Sequence, residues 1–217
     1  MALSAFKAYD IRGRVGEDLD EDLAFRVGRA FVEVMDPGAV VIGRDIRESS
    51  ASLMDALARG VCAAGADVLD IGLCGTEEVY FATDHLGAGG GLMVTASHNP
   101  IGDNGIKLIG RGARPISRAS GLDAIEALVE GGAFTVAGQG TRKAVDMRAE
   151  YVARVLSFVD PVALAPLRVL VNAGNGAAGP TFDAIAKALA AAGGKVSRPT
   201  TRGSIACRMT WMTMPPC

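Results

Sequence analysis

Gly91-Leu92-Met93-Val94-Thr95-Ala96-Ser97-His98-Asn99-Pro100 is the stretch whose reading decides the fold. Its first six residues form a short apolar run without polar alternation, as in a buried strand, and the Asn-Pro pair ends it. The strand therefore delivers Ser97, His98 and Asn99 to its carboxyl end, where ligands collect in open α/β sheets.

Upstream, Asp20 is placed to cap a helix whose face is Leu23, Val27, Ala30, Phe31 and Val34, ending before Pro37-Gly38. Ala39 to Gly43 reads as a strand running into Arg44-Asp45, which reads as an internal ion pair. Ser49 is the expected cap of a second helix with Leu53, Leu57, Val61 and Ala64 on its apolar face, stopped by Gly65. Ala66 to Ile71 is a further strand and Thr76 to Leu86 a further helix, with His85 late in it as a solvated or C-capping side chain. Downstream, Gly105 to Ile109 is a strand, and Leu122, Ile125, Leu128 and Val129 mark a helix that Gly131-Gly132 ends.

Such alternation predicts an α/β fold, a mixed, mostly parallel sheet with helices on both faces, over residues 1–140. Phe134 to Lys143 reads as a linker. Residues 141–196 read as an incomplete second α/β domain: a helix around Tyr151 to Val159, a strand Arg168 to Val171, a loop Asn172 to Gly176 and an Ala-rich helix Thr181 to Ala192. The loop could cradle an anion, but it matches neither Walker nor dinucleotide spacing and reads as a plain turn. With no sheet to cover them, Val169, Val171, Ile185 and Leu189 are expected to stay exposed and to promote self-association. Residues 197–217 lose all periodicity and hold Met209, Met212, Met214 and the only Trp. They read as an aberrant or flexible tail, the kind a shifted reading frame would produce.

Composition narrows the function. The chain has 217 residues, 49% apolar and 21% charged, with a net charge of -2. That balance gives no basic surface for nucleic acid or lipid headgroups, so an anionic ligand needs a local cluster. No apolar run approaches the ~20 residues of a membrane span, and Met1 to Lys7 lacks a secretory pattern; a cytoplasmic protein is expected. Cys62, Cys74, Cys207 and Cys217 show no metal or redox spacing and read as isolated thiols.

Ser97 is the candidate nucleophile. Its hydroxyl sits at a strand end beside His98, and Lys107 on the next strand can bring an ammonium toward an anion there, as phosphoryl transfer requires. The plain alternative is an Asn-Pro turn with a surface serine. A Ser-His-Asp hydrolase would need a nucleophile elbow, but Thr95 and Asn99 occupy its glycine positions. Adjacent residues of an extended strand also point to opposite sides, which separates His98 from Ser97 unless the chain turns. In Lys7-Ala8-Tyr9-Asp10-Ile11-Arg12-Gly13, Arg12 beside a flexible glycine is suited to a bidentate phosphate contact.

Taken together, that opening segment, Gly75-Thr76-Glu77-Glu78, Thr95 to Pro100, Asn104-Gly105-Ile106-Lys107 and Asn175 to Gly179 resemble the α-D-phosphohexomutases, most nearly the phosphomannomutase/phosphoglucomutase branch. The resemblance covers about Phe6 to Val196. It implies an enzyme that interconverts hexose 6-phosphate and hexose 1-phosphate through a hexose 1,6-bisphosphate activator, with Ser97 as a phosphoserine. It further implies that His98 and Lys107 handle protons or charge, that Arg12 and Tyr9 line the site with Lys107, and that Mg²⁺ binds through the Ser97 phosphate. Hexose phosphates are then the partners. The family's Asp-Gly-Asp-x-Asp-Arg metal loop and Gly-Glu-x-Ser-Gly-His sugar loop do not occur in this sequence, so weak metal binding and little turnover by this chain alone are expected. Phosphoglucosamine mutase and a non-catalytic sugar-phosphate-binding module are the competing readings.

Overall fold

The Asp20 carboxylate accepts from the Leu23 amide at 2.7 Å and so opens the first long helix, α1 (Glu21–Met35), as its position predicts. The helix closes at Asp36, which adopts the left-handed conformation at φ 45°. In this computed structural model the described residues are 4–164, 168–173, 176–192 and 207–210. They fall into two units, Met1–Val145 and Asp146–Cys217.

The first unit is built on a sheet of β1 (Ile11–Arg14), β2 (Ala39–Arg44), β3 (Asp67–Leu73), β4 (Gly90–Val94), β5 (Asp103–Gly110), β6 (Arg114–Pro115) and β7 (Arg142–Ala144). The strand order is β1-β5-β4-β2-β3-β7, with β6 paired to β5. Pairings β4–β2, β2–β3 and β3–β7 are parallel; β1–β5, β5–β4 and β5–β6 are antiparallel. The sheet is thus mixed, as expected, but parallel and antiparallel pairings are equal in number among the described residues. The connection from β4 to β5 explains why. It has only the residues from Thr95 to Gly102, too few for a parallel crossover, so the chain must turn back on itself.

Helices α2 (Ser50–Ala63), α3 (Thr76–His85) and α4 (Leu122–Gly131) complete this unit. Adjacent glycines show the layering. A Cβ on Gly90 would meet the Phe31 ring of α1 at 2.5 Å, and one on Gly91 would meet Thr83 Oγ1 of α3 at 2.3 Å. Since neighbouring strand positions face opposite ways, α1 and α3 cover opposite faces of β4. On the first face α1 packs directly on α2, and Phe31, Leu53, Leu57, Leu92 and Ile106 are fully buried between helices and sheet.

Three local expectations are corrected. Ser49 stands at the start of α2 but makes no cap; its hydroxyl accepts from Asn104 instead. Arg44 does not pair with the Asp45 carboxylate; it donates to the Asp45 carbonyl at 3.1 Å. The segment read as a linker is bound to the first unit. Glu33 accepts from the amides of Thr135 and Val136, Arg29 lies 4.6 Å over the Phe134 ring, and Arg142–Ala144 joins the sheet as β7. A free edge of β3 attracts a strand even from residues that carry no strand pattern of their own.

The second unit contains α5 (Arg148–Leu156), β8 (Arg168–Val171), α6 (Ala178–Ala191) and β9 (Cys207–Thr210). Strands β8 and β9 pair antiparallel, so residues 207–210 of the expected tail are a strand. The Arg148 guanidinium donates to the Thr181 hydroxyl, joining α5 to α6. Leu189 is buried and Ile185 and Val171 half-buried, against the expectation of exposure; the side chain of Val169 lies outside the described residues. So do Gly174 and Asn175 of the glycine-rich loop, and the rest of the tail. Among the described residues no helix is long and apolar enough to cross a membrane.

Candidate functional site: the Ser97 loop

The tight β4–β5 connection brings the strand end to the surface, where Ser97 and His98 are exposed and Asn99 is half-buried. Ser97 takes φ 54°, the left-handed region a non-glycine residue rarely visits. That turn removes the geometric objection to its neighbour. Ser97 Oγ lies 3.3 Å from His98 Nδ1, within reach for proton exchange.

Two buried-side anchors hold the loop. The Ser97 amide donates to Thr95 Oγ1 at 2.9 Å, and that hydroxyl donates to Asp45 Oδ2 at 2.7 Å. Asp45 also accepts from the Arg47 amide and the Ser50 hydroxyl. The Arg47 side chain lies under the loop and donates to its carbonyls. Beneath them Gly105 permits close packing: a Cβ there would fall 2.5 Å from the Ile11 carbonyl and 2.9 Å from that of Thr95.

On the opposite flank, β1 and β5 contribute cations. Arg12 donates to Asn99 Oδ1 at 2.8 Å and to Asp10 Oδ2 at 2.7 Å. Lys107 Nζ reaches the same Asp10 oxygen at 3.6 Å. Asn99 in turn donates to Asp103. Among the described residues, Arg12 Nε is buried and has no hydrogen-bond partner. The loop therefore presents an exposed hydroxyl and imidazole beside two cations that one carboxylate holds in place, a charge arrangement suited to a phosphorylated ligand.

Of the sequence candidates, Ser97 and His98 are brought together, Arg12 reaches the loop through Asn99, and Lys107 connects to Arg12 through Asp10. Tyr9 is 76% exposed. Asp10, Arg47, Thr95 and Asn99 carry no site role in the sequence reading, and Asp45 reads there only as an ion-pair partner of Arg44. The signal for Asp45 and Arg47 was their two-residue spacing after a strand, where an Asp carboxylate accepts from the amide two residues on. Glu78 of the Gly75-Thr76-Glu77-Glu78 segment acts as a cap, accepting from the Gly75 amide at 3.0 Å.

The donor set does not fit Mg²⁺. Among the described residues no group of three or more His, Cys, Asp or Glu is arranged to hold a metal ion, whereas Mg²⁺ needs a near-octahedral oxygen shell. Near Ser97, Asp45 and Asp103 already accept from neighbouring side chains.

Comparison with known proteins gives a consistent result. A family model described as phosphoglucomutase/phosphomannomutase, alpha/beta/alpha domain I, matches residues 3–136. A phosphomannomutase of Salmonella typhimurium (strain LT2) is 51% identical over 197 residues, 89% of this chain and 43% of that protein. A phosphomannomutase of Escherichia coli is 52% identical over 195 residues, with 88% and 43% covered. A phosphoglucomutase/phosphomannomutase family protein from Burkholderia thailandensis superposes with a TM-score of 0.76 at 38% identity, covering 88% of this chain and 43% of that one. The chain spans less than half the length of these relatives.

Proposed function

The chain belongs to the phosphoglucomutase/phosphomannomutase family, and from that premise we propose that Ser97 is the phosphoryl carrier for the interconversion of hexose 6-phosphate and hexose 1-phosphate. A PO₃ group passes from the Ser97 oxygen to the free hydroxyl of a hexose monophosphate, giving a hexose 1,6-bisphosphate. The phosphate at the other end of the turned-over sugar then returns a PO₃ group to Ser97. Each transfer breaks one P–O bond and forms another, so the serine ends as it began.

The chain's own residues have separate tasks in this reading. His98 Nδ1 takes the Ser97 hydroxyl proton when that oxygen is phosphorylated and returns it when the PO₃ group leaves; the proton of the accepting sugar hydroxyl passes to solvent, and the sugar oxygen freed in the second transfer takes one back. Arg12 and Lys107 offset the negative charge of the phosphoryl oxygens, and Asp10 keeps both cations at the loop. Tyr9 lines the sugar side. The described residues offer no carboxylate set to hold Mg²⁺, which would otherwise offset charge on the transferring group, so this chain alone turns over little or not at all. A cytoplasmic setting belongs to the same proposal.

The observation that carries the reading is the left-handed Ser97, exposed and 3.3 Å from His98 Nδ1. Peptide mapping of the purified chain tests it: phosphate on Ser97 is expected, and phosphate confined to other residues contradicts it. Hexose 1-phosphate, hexose 1,6-bisphosphate and Mg²⁺ added to the chain should yield almost no hexose 6-phosphate. Brisk turnover would contradict the expectation that this segment is incomplete as a catalyst.

A further inference from the structure

Arg47 uses both terminal nitrogens of its side chain on one short stretch of main chain. One terminal nitrogen, Nη1, donates to the carbonyls of Pro100 at 2.7 Å and Asp103 at 3.0 Å. The other, Nη2, donates to those of Ser97 at 3.1 Å and Asn99 at 2.8 Å. Nε faces Asp45 Oδ2 at 3.4 Å. A guanidinium has five N–H donors in a rigid plane; here the four on the terminal nitrogens hydrogen-bond to loop carbonyls and Nε makes an ion-pair contact with Asp45. The terminal nitrogens are thus committed to the main chain that carries the candidate nucleophile.

The four carbonyls converge because the loop is curled around the guanidinium. Ser97 is held at both of its peptide groups, the amide by Thr95 Oγ1 and the carbonyl by Arg47. Both holders meet at Asp45, which accepts from Thr95 and pairs with Arg47. A serine at φ 54° relaxes toward negative φ unless its surroundings over-determine it, and these two bonds do so.

We propose that Arg47 is a positioning residue: by gathering the loop carbonyls it fixes Ser97 in the left-handed conformation from which its hydroxyl meets His98. The consequence for catalysis rests on the reading of Ser97 as phosphoryl carrier; the conformational claim does not. Arg47 touches no reacting atom in this scheme. Its effect is to keep the hydroxyl presented, so that no reorganisation of the loop is required when phosphate arrives.

Three forms of the full chain test this: wild type, Arg47→Lys and Arg47→Gln. Lysine keeps the positive charge but has one nitrogen, which cannot span four carbonyls. The intraresidue HN–Hα NOE of Ser97 reports its conformation, because that distance is much shorter at positive than at negative φ. In both variants this NOE should weaken, and exchange of the Ser97, Asn99 and Asp103 amides should accelerate about tenfold or more, with β2 amides unchanged. Phosphoryl uptake at Ser97 from hexose 1,6-bisphosphate should fall by a similar factor in both, lysine giving no rescue.

An HN–Hα NOE at Ser97 as intense as in wild type in folded Arg47→Lys or Arg47→Gln overturns the proposal. If neither variant folds, the wild-type protein decides: separate, slowly exchanging Arg47 guanidinium resonances support the clamp, and one averaged signal overturns it. If the NOE weakens as expected but wild type takes up no phosphoryl group, the Arg47 assignment stands and the carrier reading of Ser97 falls.

Discussion

Ser97 Oγ sits 3.3 Å from His98 Nδ1, although residues adjacent in sequence point apart on an extended strand. The left-handed turn at Ser97 makes the pair possible. Because His98 is exposed and outside the core, His98→Gln should leave thermal stability within about 0.5 kcal/mol of wild type. Phosphoryl uptake at Ser97 from hexose 1,6-bisphosphate, followed by intact mass, should slow by about 10²- to 10⁴-fold. Unchanged uptake would remove His98 from the proton path.

Asp10 is shared by Arg12 and Lys107 and is largely shielded from water, at 13% side-chain exposure. Asp10→Asn leaves two cations without their common partner and should destabilise the chain by about 2 kcal/mol. An added anion can take the vacated role, so inorganic phosphate should recover part of the lost Tm in the variant and shift wild type less. A variant deficit insensitive to phosphate would mean that the two cations do not converge on an anion site.

Helices α1 and α2 cross where each offers a glycine to the other's backbone. A Cβ on Gly60 would lie 2.1 Å from the Phe25 carbonyl, and one on Gly28 would lie 2.3 Å from that of Leu57. Backbone cannot swing aside as a side chain can, so Gly60→Ala should push the helices apart and cost about 2–3 kcal/mol or more. Thermal unfolding measures this; a wild-type Tm in Gly60→Ala would show that the crossing is looser than described.

Acid should release the strap that carries residues 134–144 along the first unit. The Thr135 hydroxyl first, with the Thr135 and Val136 amides, holds the Glu33 carboxyl below its ordinary 4.5. The Thr141 amide and hydroxyl hold Asp67 below 3.8, and hydrogen bonds from Arg142 and Arg59 do the same for Asp55. Folded values depressed in this way stabilise the strap above the unfolded carboxylate range and lose it as pH falls through the lower folded values. Amide protection factors at Thr135, Val136 and Thr141 should therefore hold near pH 6 and fall selectively below about pH 4. Protection at these three amides that is indifferent to acid would contradict the role of the carboxylates.

The sequence made some of this legible because the deciding interactions are local. The Asp20 cap spans three residues, the Gly91 to Ala96 run is continuous, and Ser97 stands where that run ends. Other features depend on partners far along the chain. Arg142-Lys143-Ala144 has no strand pattern, and only the open edge of β3 makes it β7. The Arg47 clamp joins carbonyls fifty or more residues downstream, main-chain atoms whose positions leave no trace in residue type. The antiparallel β4–β5 pairing was available from the shortness of the connection, yet the α/β alternation around it argued for parallel strands. Cys62 and Cys74 are free thiols as their spacing suggested, and burial pushes the Cys62 thiol up.

The central claim is that the Ser97 oxygen accepts and gives back a phosphoryl group, and transfer from a sugar bisphosphate measures it most directly. Phosphate-free chain incubated with ³²P-labelled hexose 1,6-bisphosphate should carry the label on the peptide containing Ser97, and Ser97→Ala should carry none. No label on wild type, or equal labelling of Ser97→Ala, would contradict the account.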